Sequence, residues 1–190
     1  MATRSGSKCA LLVVDVQVGV VATAWERDRI VGNVVLAVRR ALEAGVPVVW
    51  VQHEDEELKH GTPPWQWVPE LQPLVGQTRI NKKYNSAFEG TELLSLLERL
   101  DVSRIFLAGA LTNWCIRATA HAALERGFDL TLVGDAHTTT DMELESGRMI
   151  EACTIVEELN TAMHWLSYLD RTNSVVTAAE ADFGACAGAS

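Results

Sequence analysis

Three residues that can share a proton stand at the ends of three short stretches of chain. Asp15 follows Ala10-Leu11-Leu12-Val13-Val14, Lys82 follows Thr78-Arg79-Ile80-Asn81, and Cys115 closes Gly109-Ala110-Leu111-Thr112-Asn113-Trp114-Cys115. A carboxylate can take a thiol proton, an ammonium can hold the charge that results, and a thiolate can attack a carbonyl. A helix pattern starts beside Cys115. A thiol at a helix N-terminus feels the positive end of the macrodipole and can ionise near neutral pH. Singly, the three have ordinary explanations as a turn residue, a surface amine and a small buried residue. Together they describe a cysteine nucleophile with acid/base partners.

For the three to meet, their stretches must lie side by side. Cys9 to Val14 is an unbroken apolar run, as a strand covered on both faces should be. Residues 27–44 carry Ile30, Val31, Val34, Val35, Val38, Ala41 and Leu42 at helical spacing, and Gly45 stops them. Strands are predicted over 46–52, 78–82, 104–109 and 129–133, with an edge strand over 174–177. Helices are predicted over 91–100 and 113–126. A last long helix is predicted to open with a capping box, Thr140 reaching forward and Glu143 back. This alternation predicts an α/β fold, a mostly parallel sheet with helices on both faces. In such sheets ligands bind beyond the carboxyl ends of the strands, where Asp15, Lys82 and Cys115 all fall. Residues 53–77 form an irregular excursion with four prolines, Trp65 and Trp67, of the kind that walls a binding site.

The chain has 190 residues, which fits one domain spanning 1–190, with its core over about 8–178 and a frayed tail over 183–190. A net charge of −9 would repel phosphate backbones, so no nucleic-acid partner is expected. It favours solubility, and the run Glu54-Asp55-Glu56-Glu57 suits a cationic substrate. No apolar stretch is long enough for a membrane span and the first eight residues are polar, so no membrane partner and a cytoplasmic location are expected. Cys9, Cys115, Cys153 and Cys186 are scattered, which argues against a disulfide framework or a zinc knuckle. Cys9 and Cys153 read as small core residues and Cys186 as an exposed tail residue.

Four blocks carry a resemblance: Leu11 to Gln17; Lys82-Lys83-Tyr84-Asn85-Ser86-Ala87-Phe88-Glu89-Gly90-Thr91; Gly109 to Ile116; and Gly127 to His137. Spread over about residues 9–160, they resemble the isochorismatase-like cysteine hydrolases, which include nicotinamidases, carbamoyl-amide hydrolases and a streptothricin-opening hydrolase. The resemblance implies a three-layer, doubly wound, six-stranded sheet (Rossmann-like) and a triad of Asp15, Lys82 and Cys115. Lys82 is chosen over Lys83 by its spacing to Ser86-Ala87-Phe88. A non-proline cis peptide is implied at Ala110–Leu111, with an oxyanion hole built from the Leu111 and Cys115 N–H groups. A homo-oligomer, dimer or tetramer, is implied as well. Around the triad, Gln17, Trp25, Glu54, Trp65 and Trp114 are the candidate pocket residues.

The run Val51-Gln52-His53-Glu54-Asp55 lacks the Asp-x-His spacing of the family's nicotinamidases. Any zinc at His53, Asp55 and His60 would be adventitious, and neither metal nor cofactor is expected. His137 is read as a brace for the loop before the last helix. The chemistry expected is hydrolysis of a small amide, carbamoyl amide or lactam through a thioester. Isochorismatase-type enol-ether hydrolysis and a non-catalytic, thiol-reactive binding module remain open alternatives.

Overall fold

The structure is a computed structural model and describes residues 4–184. In chain order the first half holds β1 (Lys8–Val14), α1 (Val18–Val21), α2 (Arg27–Glu43), β2 (Val48–His53), β3 (Thr78–Lys82) and α3 (Leu93–Arg99). The second half holds β4 (Val102–Ala110), α4 (Arg117–Glu125), β5 (Asp129–Thr138), β6 (Met142–Glu143), β7 (Met149–Ile150), α5 (Ala152–Trp165) and β8 (Asn173–Val176).

Six strands form one sheet in the order β3-β2-β1-β4-β5-β8, and every neighbouring pair is parallel. Because β1 is central, both its faces must be covered, and its side chains divide accordingly. Cys9, Leu11 and Val13 pack with α2 through Val31, Val34, Val38 and Ala41. Ala10, Leu12 and Val14 pack with α3, α4 and α5 through Leu93, Leu97, Ala120, Leu124 and Leu159. The result is the three-layer, doubly wound α/β fold that the alternation predicts. The strand order reverses between β1 and β4, so their carboxyl ends open a crevice there.

Three local features differ from expectation. The last helix begins at Ala152, after a two-stranded hairpin of β6 and β7. Gly147, at φ +76°, turns that hairpin. The Ala152 N–H is capped by Asp141 Oδ1 at 2.8 Å, so the Thr140–Glu143 box does not form. The core also runs past residue 178: Ala181 and Phe183 are buried, and Phe183 lies 4.4 Å from the Phe106 ring. The rest of the expected tail, 185–190, lies outside the described residues, as does Cys186. Finally, Cys9 is buried but disulfide-bonded, and Cys153 is half-buried at the exposed start of α5, so neither is plain core filling.

The excursion between β2 and β3 holds one short 3-10 turn, Pro63–Trp65. It folds back over its own sheet end: Trp67 is buried edge-on to Trp50 at 5.2 Å and pairs with Gln17 in a β-bridge. Among the described residues no helix is long and apolar enough to cross a membrane.

At Gly109 the backbones of β4 and β1 pass tightly at the crevice. This glycine sits opposite Val14 at φ +130°, and a Cβ there would stand 2.0 Å from the Val14 carbonyl oxygen. Only glycine satisfies both the dihedral and the approach. Gly109→Ala should therefore lose more than about 3 kcal/mol of unfolding free energy in a urea titration; native stability in that variant would contradict the packing described.

Candidate active site

Each strand end delivers one reactive group to the crevice. β1 ends at Val14, and Asp15 follows in a left-handed conformation at φ +53°. β4 ends at Ala110, the Ala110–Leu111 peptide is cis, and a single π-turn, Thr112–Ile116, carries Cys115 into α4. Lys82 is the last residue of β3, two strands from β1, and its long side chain spans the gap across the end of β2. The loop after Lys82 is tied to α4 by the Ala87 N–H, which donates to Thr119 Oγ1 at 3.0 Å.

The three groups meet. Lys82 Nζ lies 2.6 Å from Asp15 Oδ2 and 3.1 Å from Cys115 Sγ, with its side chain fully buried. It also donates to the Tyr84 carbonyl at 3.1 Å. Lys83, by contrast, is exposed and faces Glu54 at 3.9 Å. Asp15 Oδ1 is buried and has no hydrogen-bond partner among the described residues, and the carboxylate and the thiol act on each other's ionisation.

Burial and charge set the proton positions. Burial works against the Lys82 ammonium, but Asp15 and Cys115 more than offset it, and Lys82 stands above the usual lysine range. Burial pushes the Asp15 carboxyl up, and Lys82 and Cys115 pull it only part of the way back. Burial, then the Asp15 charge, push the Cys115 thiol up to about 12, against the pull of Lys82. The surroundings of Cys115 thus oppose the ionisation that a helix N-terminus would favour. One short π-turn supplies little dipole, while burial and an adjacent carboxylate both favour the neutral thiol.

Asp15, Leu111, Trp114 and Cys115 line a cavity of about 500 Å³, shared with His53, Asp55, Glu57 and Asn85 among others. Trp114 is half exposed at its mouth. The other pocket candidates lie elsewhere. Gln17 is fully buried and clamps two loops: its Nε2 donates to the His53 and Trp65 carbonyls, and its Oε1 accepts the His53 N–H. Trp25 is held by Thr138 Oγ1 and Thr139 through its backbone, with Arg29 over its ring. Trp65 stacks on His60 at 4.2 Å. Glu54 turns outward to His60 and Lys83. Of the acidic run, Asp55 and Glu57 face the cavity.

Sequence reasoning passed over Thr23, Pro64 and Asn85, which also line it. Asn85 stands three residues after Lys82 in a quoted block, which was the available signal. His137 proves to brace the nucleophile turn. Its ring is fully buried between Thr112 Oγ1 and Asn160 Oδ1, 3.0 Å from each, and burial pushes it down to about 4, so it is neutral. Among the described residues no group of three His, Cys, Asp or Glu side chains is placed to hold a metal ion.

Removing the ammonium should expose the cost of the buried carboxylate. Lys82→Met should lose about 3–5 kcal/mol of stability at neutral pH. Without Lys82, Asp15 in the folded state rises further above its unfolded value. The loss should therefore vanish below the unfolded carboxylate value and grow as pH rises through it. Denaturant titrations across pH check this; a pH-independent loss would contradict the ion pair.

Comparison with known proteins gives a consistent picture. A streptothricin hydrolase of Streptomyces noursei is 34% identical over 146 residues, covering 73% of this chain and 57% of that one. The chain thus spans little more than half of that relative. A maleamate amidohydrolase of Pseudomonas putida KT2440 is 34% identical over 96 residues, covering 47% and 45%. The crystal structure of an isochorismatase from Pseudomonas putida KT2440 superposes with a TM-score of 0.81 at 26% identity, covering 91% of this chain and 89% of that one. The isochorismatase domain as a family matches residues 9–160, the greater part of the sheet and all of the crevice, and the chain therefore belongs to the isochorismatase family.

Proposed function

We propose that the protein is a cysteine-dependent amidohydrolase that cleaves a small amide, carbamoyl amide or lactam through a thioester. The observation that carries this reading is the buried Lys82 ammonium, 2.6 Å from a carboxylate and 3.1 Å from a thiol beside a cavity. A thiol held up to about 12 does not wait as a thiolate. Its proton moves to Asp15 as sulfur attacks the carbonyl; Asp15 becomes neutral, the negative charge passes through sulfur to the carbonyl oxygen, and the Lys82 ammonium offsets it on the way. The N–H groups of Leu111, just before the π-turn, and of Cys115, within it, would receive the developing oxyanion; such a donor is worth about 10²–10³ in turnover. Asp15 then gives the proton to the leaving amine, and later takes one from the water that opens the thioester.

The cavity wall bears on the substrate. Asp55 and Glu57 line it, and among the described residues no lysine or arginine does. Asp55 is occupied by His53 and two backbone N–H groups, which leaves Glu57 to meet a cation. This favours an amide with cationic groups, as streptothricin carries, over an anionic one such as maleamate. A second copy of the chain is proposed as the partner, on the family resemblance alone.

Intact-mass spectrometry during turnover of a panel of cationic, neutral and anionic amides tests the reading. The expected result is a covalent acyl adduct on the native protein with a cationic amide. It should be absent from Cys115→Ala, which should lose roughly 10³-fold or more in kcat. Glu57→Gln should raise KM for the cationic amide about two- to fivefold, the scale of an exposed ion pair, and leave neutral amides alone. Native turnover by Cys115→Ala would overturn the reading.

A further inference from the structure

Lys82 has a fourth polar neighbour that the chemistry above leaves idle. His53 ends β2, between the strands that carry Asp15 and Lys82. Its Nδ1 is 3.3 Å from Lys82 Nζ, and its Nε2 is 3.0 Å from Asp55 Oδ2. An ammonium has protons to give and no lone pair to accept with. Its three protons also serve Asp15, Cys115 and the Tyr84 carbonyl, so Nδ1 shares one of them; a lone pair there suits the cation and an N–H would oppose it, which puts the ring proton on Nε2, where Asp55 receives it. Asp55 is fixed in turn: its Oδ1 accepts the Glu57 N–H at 2.8 Å and the Leu58 N–H at 2.7 Å. The Leu58 N–H, with that of Glu57, holds its carboxyl below the usual range, so it stays an acceptor.

The geometry points to Asp55 and His53 as positioning residues: Asp55 locks the imidazole in the tautomer that offers a lone pair to Lys82, and the imidazole aims the ammonium between Asp15 and Cys115. This rests on the proposed working role of the Lys82 ammonium. The charged and titratable groups around the ring are Lys82 from β3, Asp15 beyond β1, Asp55 from the segment after β2, and Cys115 behind Lys82. The wrong tautomer, or a protonated ring, turns an N–H toward the ammonium and drives Lys82 from its place.

The two backbone bonds to Oδ1 make one substitution decisive. In Asp55→Asn the amide oxygen must stay with Glu57 and Leu58, so the amide NH₂ faces His53 Nε2. The ring must then accept at Nε2 and carry its proton on Nδ1, against Lys82. Nitrogen-15 NMR of the imidazole reads the tautomer without reference to any substrate. It should show the proton on Nε2 in the native protein and on Nδ1 in Asp55→Asn. With an amide that the native protein turns over, Asp55→Asn should lower kcat about 10²-fold at little change in KM, the scale of a displaced catalytic group. In a His53→Gln background the same substitution should cost nothing further, because no ring is left to flip. The same tautomer in native and Asp55→Asn proteins, or an undiminished Asp55→Asn effect in the His53→Gln background, would overturn the proposal. If no amide is turned over at all, the proposed function fails, while the NMR result still decides the tautomer lock.

Discussion

A lysine ammonium sealed beneath the surface is the constraint on which the rest of this molecule turns. Lys82 is buried to the end of its side chain, and a lone cation there would cost several kcal/mol. It is stable only because Asp15 sits 2.6 Å away and the Tyr84 carbonyl and Cys115 sulfur take further contacts. Asp15 is tolerable only with Lys82 beside it. Cys115, placed against both, keeps its proton up to about 12. No member has the protonation behaviour that it would have alone, so the three titrate as one unit.

That unit dictates what the sheet must do. Asp15 and Cys115 come from β1 and β4, neighbours at the point where strand order reverses. Their approach depends on Gly109, whose missing Cβ lets the Val14 carbonyl pass. Lys82 comes from β3 and must reach across β2, so the residue ending β2 inevitably meets it; that residue is His53. Gln17 pins the same strand end to the excursion that follows it. The nucleophile turn is held from behind at Thr112 by His137 and Asn160, a link from that turn through β5 to α5 made by a ring that stays neutral. The isochorismatase domain covers all these strand ends.

Much of this was legible in the chain, for a physical reason. Buried parallel strands are short apolar runs, and a polar residue that ends one announces itself locally; so Asp15, Lys82 and Cys115 could be marked before any strand order was known. What failed depended on distant partners. The acidity of Cys115 followed a rule about helix ends, and burial beside Asp15 reversed it. The Thr140–Glu143 box obeyed a local pattern, but Gly147 turns the chain into a hairpin and Asp141 caps α5 from across it. Within the acidic run, Asp55 and Glu57 line the site cavity while Glu54 pairs with His60 and Lys83, a difference set by the turn built on backbone bonds to Asp55. Gln17, Trp25 and Trp65 are the right kinds of residue for a pocket wall, but Gln17 is spent on backbone groups of His53 and Trp65, Trp25 is tied to Thr138 and Thr139, and Trp65 packs on His60.

The shared proton is the claim to test, and it can be read without a substrate. Ultraviolet titration of thiolate formation, taken as the difference between the native protein and Cys115→Ala, gives the ionisation of this one sulfur. Comparing it with the same difference in an Asp15→Asn background removes the carboxylate that holds the proton in place. The account predicts a native thiol that stays protonated through neutral pH and ionises only near 12. In Asp15→Asn the midpoint should fall, since Lys82 then acts on the sulfur unopposed. A native midpoint in the ordinary thiol range, or one that Asp15→Asn leaves in place, would contradict it.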